Sequence, residues 1–264
     1  MIIAKKSLGQ NFLVDKNVLE KIINVTTIKG KNILEIGPGT GNLTKFIFKK
    51  NPKKVYVIEK DNLLASILKK KFQDKINIFN KDVLEINENL LINEKVTVFG
   101  NLPYNISTEI LCKWIINLND SFWFNDLVLM FQKEVADRII AKSNTSYYGR
   151  LSILANWKLN IKKICDIKPE SFYPKPKINS TLLFFTPKKE YYSLKNPKNL
   201  EKVTRIFFNH RRKMLKKPFN QLFNGNQTIL DKLKIDLNLR PQNLDFDVYY
   251  KLTSEYEKFM KLNY

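Results

Sequence analysis

The chain of 264 residues is poor in the residues that build metal centres and covalent cross-links, with two cysteines and one histidine. Cys112 and Cys165 lie far apart, and neither shares a metal-ligand spacing with His210. This argues against a zinc site, a catalytic Cys–His pair and a disulfide framework. No metal is expected, and the two thiols are expected to be buried and reduced, as in a cytoplasmic protein. Long apolar runs are also missing. None approaches the roughly 18 residues of a membrane span, and Met1 to Phe12 lacks the apolar stretch of a signal peptide. Acid is scarce, with 25 Asp and Glu against 46 Lys and Arg, a formal net charge of +21. Such a balance implies a polyanionic partner, most often nucleic acid. Part of the excess reflects a Lys-, Asn- and Ile-rich composition of the kind an AT-rich genome produces. Arginine is rarer still, with only six against 40 lysines. Three of them, Arg205, Arg211 and Arg212, fall within eight residues. The planar guanidinium suits phosphate and stacking in a way lysine does not. These three and Lys213 are therefore the candidate contacts to nucleic-acid phosphates.

Against that background two segments stand out. Residues 101–104 read Asn-Leu-Pro-Tyr and follow an apolar, strand-like run, Val96 to Phe99. An amide oxygen accepts a hydrogen bond from an amino group. A proline fixes φ and removes a donor, so neighbouring carbonyls can point into a site. An aromatic ring can stack on a base. Asn101, Leu102, Pro103 and Tyr104 thus suit one task, holding the exocyclic amine of a flat base. Asn-x-Pro is also a common turn, so the second segment matters. Residues 35–41 read Glu-Ile-Gly-Pro-Gly-Thr-Gly, after the short strand Ile33 to Ile36 and before a helix from Leu43 to Phe48. Asn42 stands where a dinucleotide fingerprint needs its third small residue, which weakens NAD or FAD. Glu59 ends a second strand, Val55 to Ile58, where a carboxylate can accept ribose hydroxyls. Asp82 lies just past a third strand, Ile76 to Phe79, placed to accept an adenine amino group.

Strand and helix alternate from Asn32 to about Asn117, the pattern of a parallel sheet covered by helices. Asp15 should cap a helix carrying Val18, Leu19, Ile22 and Ile23 on one face. Further strands are expected at Asp126–Phe131, Ile161–Ile167 and Ser180–Phe185, with helices at Glu134–Ala141 and Arg150–Leu159. Phe172 to Pro176 is too proline-rich for either. Pro187 to Asn199 reads as a linker. The rest is mostly helical, with a basic helix around Asn209–Lys217 that Pro218 should end or kink. The chain is expected to comprise an α/β domain over residues 1–187 and a small all-helical domain over 188–264.

Glu-x-Gly-x-Gly-x-Gly is the usual opening of an S-adenosylmethionine-dependent methyltransferase. With it stand Leu8-Gly9-Gln10-Asn11-Phe12-Leu13, Phe99-Gly100-Asn101-Leu102-Pro103-Tyr104-Asn105-Ile106-Ser107-Thr108, Gln132 to Val135, Tyr148 to Ser152, Phe172-x-Pro-x-Pro ending in Ser180, and Arg211-Arg212-Lys213. In these segments, spread over almost its whole length, the chain resembles the ribosomal RNA adenine dimethyltransferases, most closely the bacterial small-subunit enzymes. The resemblance implies a Rossmann-like methyltransferase domain with a C-terminal helical domain. It implies S-adenosylmethionine as cofactor, held at Asn11, Leu13, Gly37, Glu59, Asp82 and Asn101. It implies as substrate two adjacent adenosines near the 3′ end of 16S rRNA, in the small subunit or its precursor. Lys5 and Lys6 of the N-terminal loop are expected to touch that RNA. So are Lys158, Lys162, Lys163, Lys168, Lys175 and Lys177 near the late strands. Phe172 is the candidate for the second face of the target base, opposite Tyr104. Leu102 in place of the Ile usual in 23S rRNA resistance methyltransferases argues against that branch. Intact Gly37, Glu59, Asp82 and Asn101 argue against a non-catalytic assembly factor. The lack of a second proline before Pro103 argues against a DNA adenine methyltransferase. A monomer is expected.

Overall fold

A computed structural model describes residues 4–5, 8–118 and 121–262, without the side chains of residues 89, 90 and 262. The N-terminal motif begins with a two-residue strand, β1 (Phe12–Leu13). Then come β2 (Asn32–Ile36), β3 (Lys54–Ile58), β4 (Asn77–Phe79), β5 (Val96–Asn101), β6 (Phe124–Gln132), β7 (Leu159–Ile167), β8 (Phe172–Tyr173) and β9 (Ser180–Pro187). Seven of these form one sheet in the order β4-β3-β2-β5-β6-β9-β7. The first five run parallel, and β9 returns antiparallel to β6. β2 is buried at all five positions, as a strand covered on both faces must be. This is the expected Rossmann-like sheet.

The helices that cover one face are set by their apolar spacing and caps. Asp15 accepts from Asn17 N–H and Val18 N–H and opens the helix Lys16–Ile23. That helix buries Leu19, Ile22 and Ile23. Helices Asn42–Phe48 and Asn62–Phe72 add Phe46, Ile47, Leu68 and Phe72 to the same core, against Ile33, Val55, Val57 and Phe99 of the sheet.

The chain divides into two compact units. One holds the chain up to Lys113 with Leu118–Ala136 and Asn160–Pro187. The other holds Trp114–Asn117, Asp137–Leu159 and the chain from Lys188 on. The segment from Asp137 to Leu159, expected in the sheet domain, therefore groups with the C-terminal helices. Its Tyr148 is fully buried, meets the rings of Phe208 and Phe246, and donates its hydroxyl to Leu244 O at 2.8 Å.

The expected basic helix does not form. The helix Pro197–Phe208 ends before it, residues 209–213 are turn and bend, and a new helix spans Lys216–Phe223. Pro218 lies in the first turn of that helix, where its missing N–H costs no intrahelical bond. It starts a helix instead of ending one. The expected linker is also packed. Glu257 accepts from Lys195 N–H, Asn196 N–H and the Asn199 amide, and Trp157 Nε1 donates to Tyr192 O.

Candidate active site

The turn after β2 is made by three glycines with positive φ, Gly37 at 63°, Gly39 at 57° and Gly41 at 74°. Side chains are strained in that region. At Gly39 space also forbids one, since a Cβ would lie 2.8 Å from the Phe12 ring. At Gly37 it would meet nothing nearer than Asn101 O at 3.9 Å. The backbone there borders open space, as a cradle for a ligand requires.

That space is a cleft at the carboxyl ends of β2, β3 and β5, where open α/β sheets bind ligands. Asn11, Leu13, Gly37, Glu59, Asp82, Asn101, Leu102, Pro103 and Tyr104 all line it. Glu59 is 7% exposed. Its carboxylate accepts from Gly39 N–H at 3.1 Å and Asp61 N–H at 2.9 Å. Burial pushes its pKa up, against those two bonds. Asp82 accepts from Leu84 N–H at 2.9 Å and from Lys60 Nζ at 2.6 Å. Burial would raise its pKa, but the Lys60 ammonium and the Leu84 N–H outweigh it and hold the carboxyl below its ordinary range. Both groups keep lone pairs for a nucleoside.

The Asn101 side chain is held by the N-terminal loop, because its Nδ2 donates to Asn11 O at 2.8 Å. The Tyr104 hydroxyl and the Ser180 Oγ lie 2.5 Å apart. Burial pushes the Tyr104 phenol up, so it stays neutral. Pro103 O accepts from Ile106 N–H and Tyr104 O from the Ser107 hydroxyl, closing the turn into the helix Ser107–Ile116.

The N-terminal loop is tied down at several points that the sequence reading missed. Lys5 Nζ lies 2.8 Å and Gln10 Nε2 3.2 Å from Asp61 Oδ2. Asn42 Nδ2 donates to Leu13 O at 2.8 Å. The one legible sign was Asp61 itself, an acidic residue just before a helix. It does cap that helix through Leu63 N–H. Lys6 lies outside the described residues.

Several expected roles need correction. Phe172 does not line the cleft. It is 3% exposed and belongs to the sheet core. β8 pairs antiparallel with β1, Leu13 opposite Phe172 and Phe12 opposite Tyr173. Successive strand residues face opposite ways, so Phe172 turns inward while Tyr173 is 56% exposed. Arg211 is not free for phosphate. Its Nη2 donates to Thr145 O at 3.3 Å and to Ser146 O. Arg205, Arg212 and Lys213 are exposed. Lys158 is buried, with Nζ 4.4 Å from the centre of the Trp157 ring. Lys163 and Lys175 pair with Asp166 and Glu170, while Lys162, Lys168 and Lys177 are exposed. Cys112 and Cys165 are half-buried, not fully buried. Among the described residues no cluster of metal-ligating side chains occurs, and no helix is long and apolar enough to cross a membrane.

Residues 2–258 match the family model for ribosomal RNA adenine dimethylase. The chain is 65% identical to the ribosomal RNA small subunit methyltransferase A of Pelagibacter ubique, over 96% of this chain and 97% of that one. It is 40% identical to the protein of the same description from Wolbachia of Drosophila simulans, over 96% and 93%. Among solved structures, a dimethyladenosine transferase from Plasmodium falciparum superposes with a TM-score of 0.80 at 29% identity, covering 94% of this chain and 98% of that one. The 23S rRNA methyltransferase ErmE shares the fold at 0.68 and 20% identity, covering 94% and 100%. With the family model spanning nearly every residue and relatives aligned almost end to end, the chain belongs to the ribosomal RNA adenine dimethylase family.

Proposed function

We propose that this enzyme uses S-adenosylmethionine to dimethylate N6 of two adjacent adenosines near the 3′ end of 16S rRNA. The substrate is the small ribosomal subunit or its precursor in the cytoplasm. The observation that carries the reading is the state of Asn101. Its amide nitrogen is committed to Asn11 O, so its Oδ1 is the atom turned to accept from an amine. The descriptions of the relatives in Pelagibacter and Wolbachia support the small subunit over 23S rRNA.

The residues present fit the cofactor. Open space beside Gly37 suits its methionine part, Glu59 its ribose and Asp82 its adenine amine, with Asn11 and Leu13 closing the pocket. The cofactor supplies a methyl group on a positively charged sulfur, and the chain supplies orientation. An adenine N6 lone pair is delocalised into the ring and is a poor nucleophile. Hydrogen bonds from its two N–H groups to Asn101 Oδ1 and a backbone carbonyl favour a pyramidal nitrogen whose lone pair can point in line. The carbonyls of Pro103 and Tyr104 are engaged in the turn, so Leu102 is assigned the second bond. Tyr104 stacks on the base, with its hydroxyl anchored at Ser180. The base must leave its stack to enter. The methyl would leave sulfur as it bonds to N6, which would then release one proton to water, and the chain would contribute by positioning the base and excluding bulk solvent. A monomethylated amine retains one N–H, so the second transfer proceeds with one of the two bonds. Arg205, Arg212 and Lys213 contact RNA phosphates.

The test is to incubate the purified protein with labelled S-adenosylmethionine and unmethylated small subunits, then map modified nucleosides by mass spectrometry. Dimethyladenosine at two adjacent 16S positions is expected. Transfer to 23S rRNA alone, or subunit binding without transfer, would overturn the proposal.

A further inference from the structure

We propose that Lys113 is a positioning residue of the cofactor site, holding the Asp82 turn to the helix that follows the Asn-Leu-Pro-Tyr segment. The inference rests on the reading of Asp82 as the adenine contact and adds the residue that keeps it in place. Asp82 is the cap of a single 3-10 turn, Val83–Glu85, and Val83 lines the same cleft. So short a turn has almost no bonds of its own to fix it, and its carbonyls need outside donors.

Lys113 supplies them. Its Nζ donates to Val83 O at 2.6 Å, to Ile86 O, and to the Glu88 carboxylate at 3.0 Å. An ammonium has three donors, and here all three are used by the one segment that carries Asp82. The side chain is 17% exposed and that of Glu88 5%. Charge-assisted bonds so sheltered are stronger than neutral ones in water. Lys113 stands on the helix Ser107–Ile116, which begins three residues after Tyr104. One side chain thus fixes the spacing between the adenine end of the site and the turn that presents Asn101. Lys60, the other cation at Asp82, touches the carboxylate itself and is 58% exposed. It neutralises charge but does not fix the backbone.

The experiment is calorimetric binding of S-adenosylhomocysteine to the full chain, for wild type, Lys113→Met, Asp82→Ala and the double variant, with thermal unfolding in parallel. Lys113→Met should weaken binding about tenfold or more. In the Asp82→Ala background, which lacks the acceptor, the same change should cost little, because the two residues act as one. Unchanged affinity in Lys113→Met would overturn the proposal. So would an equal loss in both backgrounds, the mark of a merely structural lysine. If Lys113→Met fails to fold, Glu88→Gln serves instead. It keeps the shape, weakens the anchor, and should show a smaller loss that again vanishes with Asp82→Ala. Failure of the wild-type chain to bind S-adenosylhomocysteine would instead remove the cofactor reading itself.

Discussion

The amide nitrogen of Asn101 donates to the backbone carbonyl of Asn11 at 2.8 Å, joining residues 90 positions apart. An amide flipped the other way would set two oxygens against each other, so this one bond fixes which end of Asn101 meets the substrate. The N-terminal loop is therefore part of the catalytic geometry as well as the wall of a pocket.

Two substitutions at Asn101 separate its two jobs. Asn101→Ala removes the acceptor and should lower kcat by roughly 10²–10³, the usual cost of one preorganised polar contact. Asn101→Asp keeps an acceptor but has no N–H for Asn11 O and places a carboxylate oxygen against it. Its kcat should also fall, together with protection of the loop in hydrogen exchange. Asn101→Asp with wild-type kcat would show that the contact to Asn11 is irrelevant.

The loop has a second tether at Asp61, where Lys5 and Gln10 converge. The Lys5 side chain is half exposed while that of Asp61 is 2% exposed, and solvent at the lysine end keeps the pair's contribution to stability modest. Its effect should appear in cofactor binding, because Asp61 N–H also holds Glu59. Asp61→Asn keeps the helix cap and loses the charge pair. It should raise the KM for S-adenosylmethionine by up to about fivefold with almost unchanged Tm. Asp61→Ala loses the cap too, so its Tm should fall as well. A drop in Tm with unchanged KM in Asp61→Asn would reject the coupling.

Glu35 provides a pH test. It is fully buried beneath the glycine turn, and burial pushes its pKa from 4.5 up to about 7. The Thr44 hydroxyl at 2.6 Å opposes the shift, and the Glu59 charge adds to it. Between these two values the folded state binds more protons than the unfolded one. Stability therefore falls as pH rises through this window, by on the order of 3 kcal/mol in total. Glu35→Gln, which can still accept from Thr44, removes the titration. The variant should gain Tm relative to wild type between pH 5 and pH 8 and gain nothing further above that. A difference independent of pH would show that Glu35 is ionised throughout.

Much of this architecture was legible because parallel strands buried on both faces read as plain apolar runs. Ile33–Ile36, Val55–Ile58 and Val96–Phe99 are mainly of that kind, interrupted only by Glu35, Tyr56 and Thr97, and the catalytic and cofactor candidates at their ends fall into one cleft. What escaped was decided by partners distant in sequence. Two residues, Phe172 and Tyr173, become a strand only because Phe12 and Leu13 lie beside them. That pairing turns Phe172 inward. The stretch Asn209–Lys217 has helical composition, yet its Arg211 finds carbonyls at Thr145 and Ser146. Pro218 then opens the next helix. Local propensity yields to tertiary contacts of this kind.

The basic turn gives the last prediction, since its neighbouring arginines are used differently. Arg211 bridges two backbone carbonyls within the helical unit, whereas Arg212 and Lys213 are exposed. Arg211→Ala leaves those carbonyls without a charged donor and should lower Tm by roughly 2–4 °C. Both bonds come from the single nitrogen Nη2, and an ammonium has donors enough for both, so Arg211→Lys should recover much of that loss. Arg212→Ala and Lys213→Ala should leave Tm unchanged and weaken binding to the small subunit. Each phosphate contact removed should flatten the slope of log K against log salt by about 0.9 at a duplex. Measured together, Tm and salt slope assign each residue to one role. If Arg211→Ala flattens the slope at constant Tm, its guanidinium leaves the carbonyls for phosphate when RNA binds. If Arg212→Ala and Lys213→Ala leave the slope unchanged, the RNA follows another face, and the exposed Lys162, Lys168 and Lys177 are the next residues to substitute.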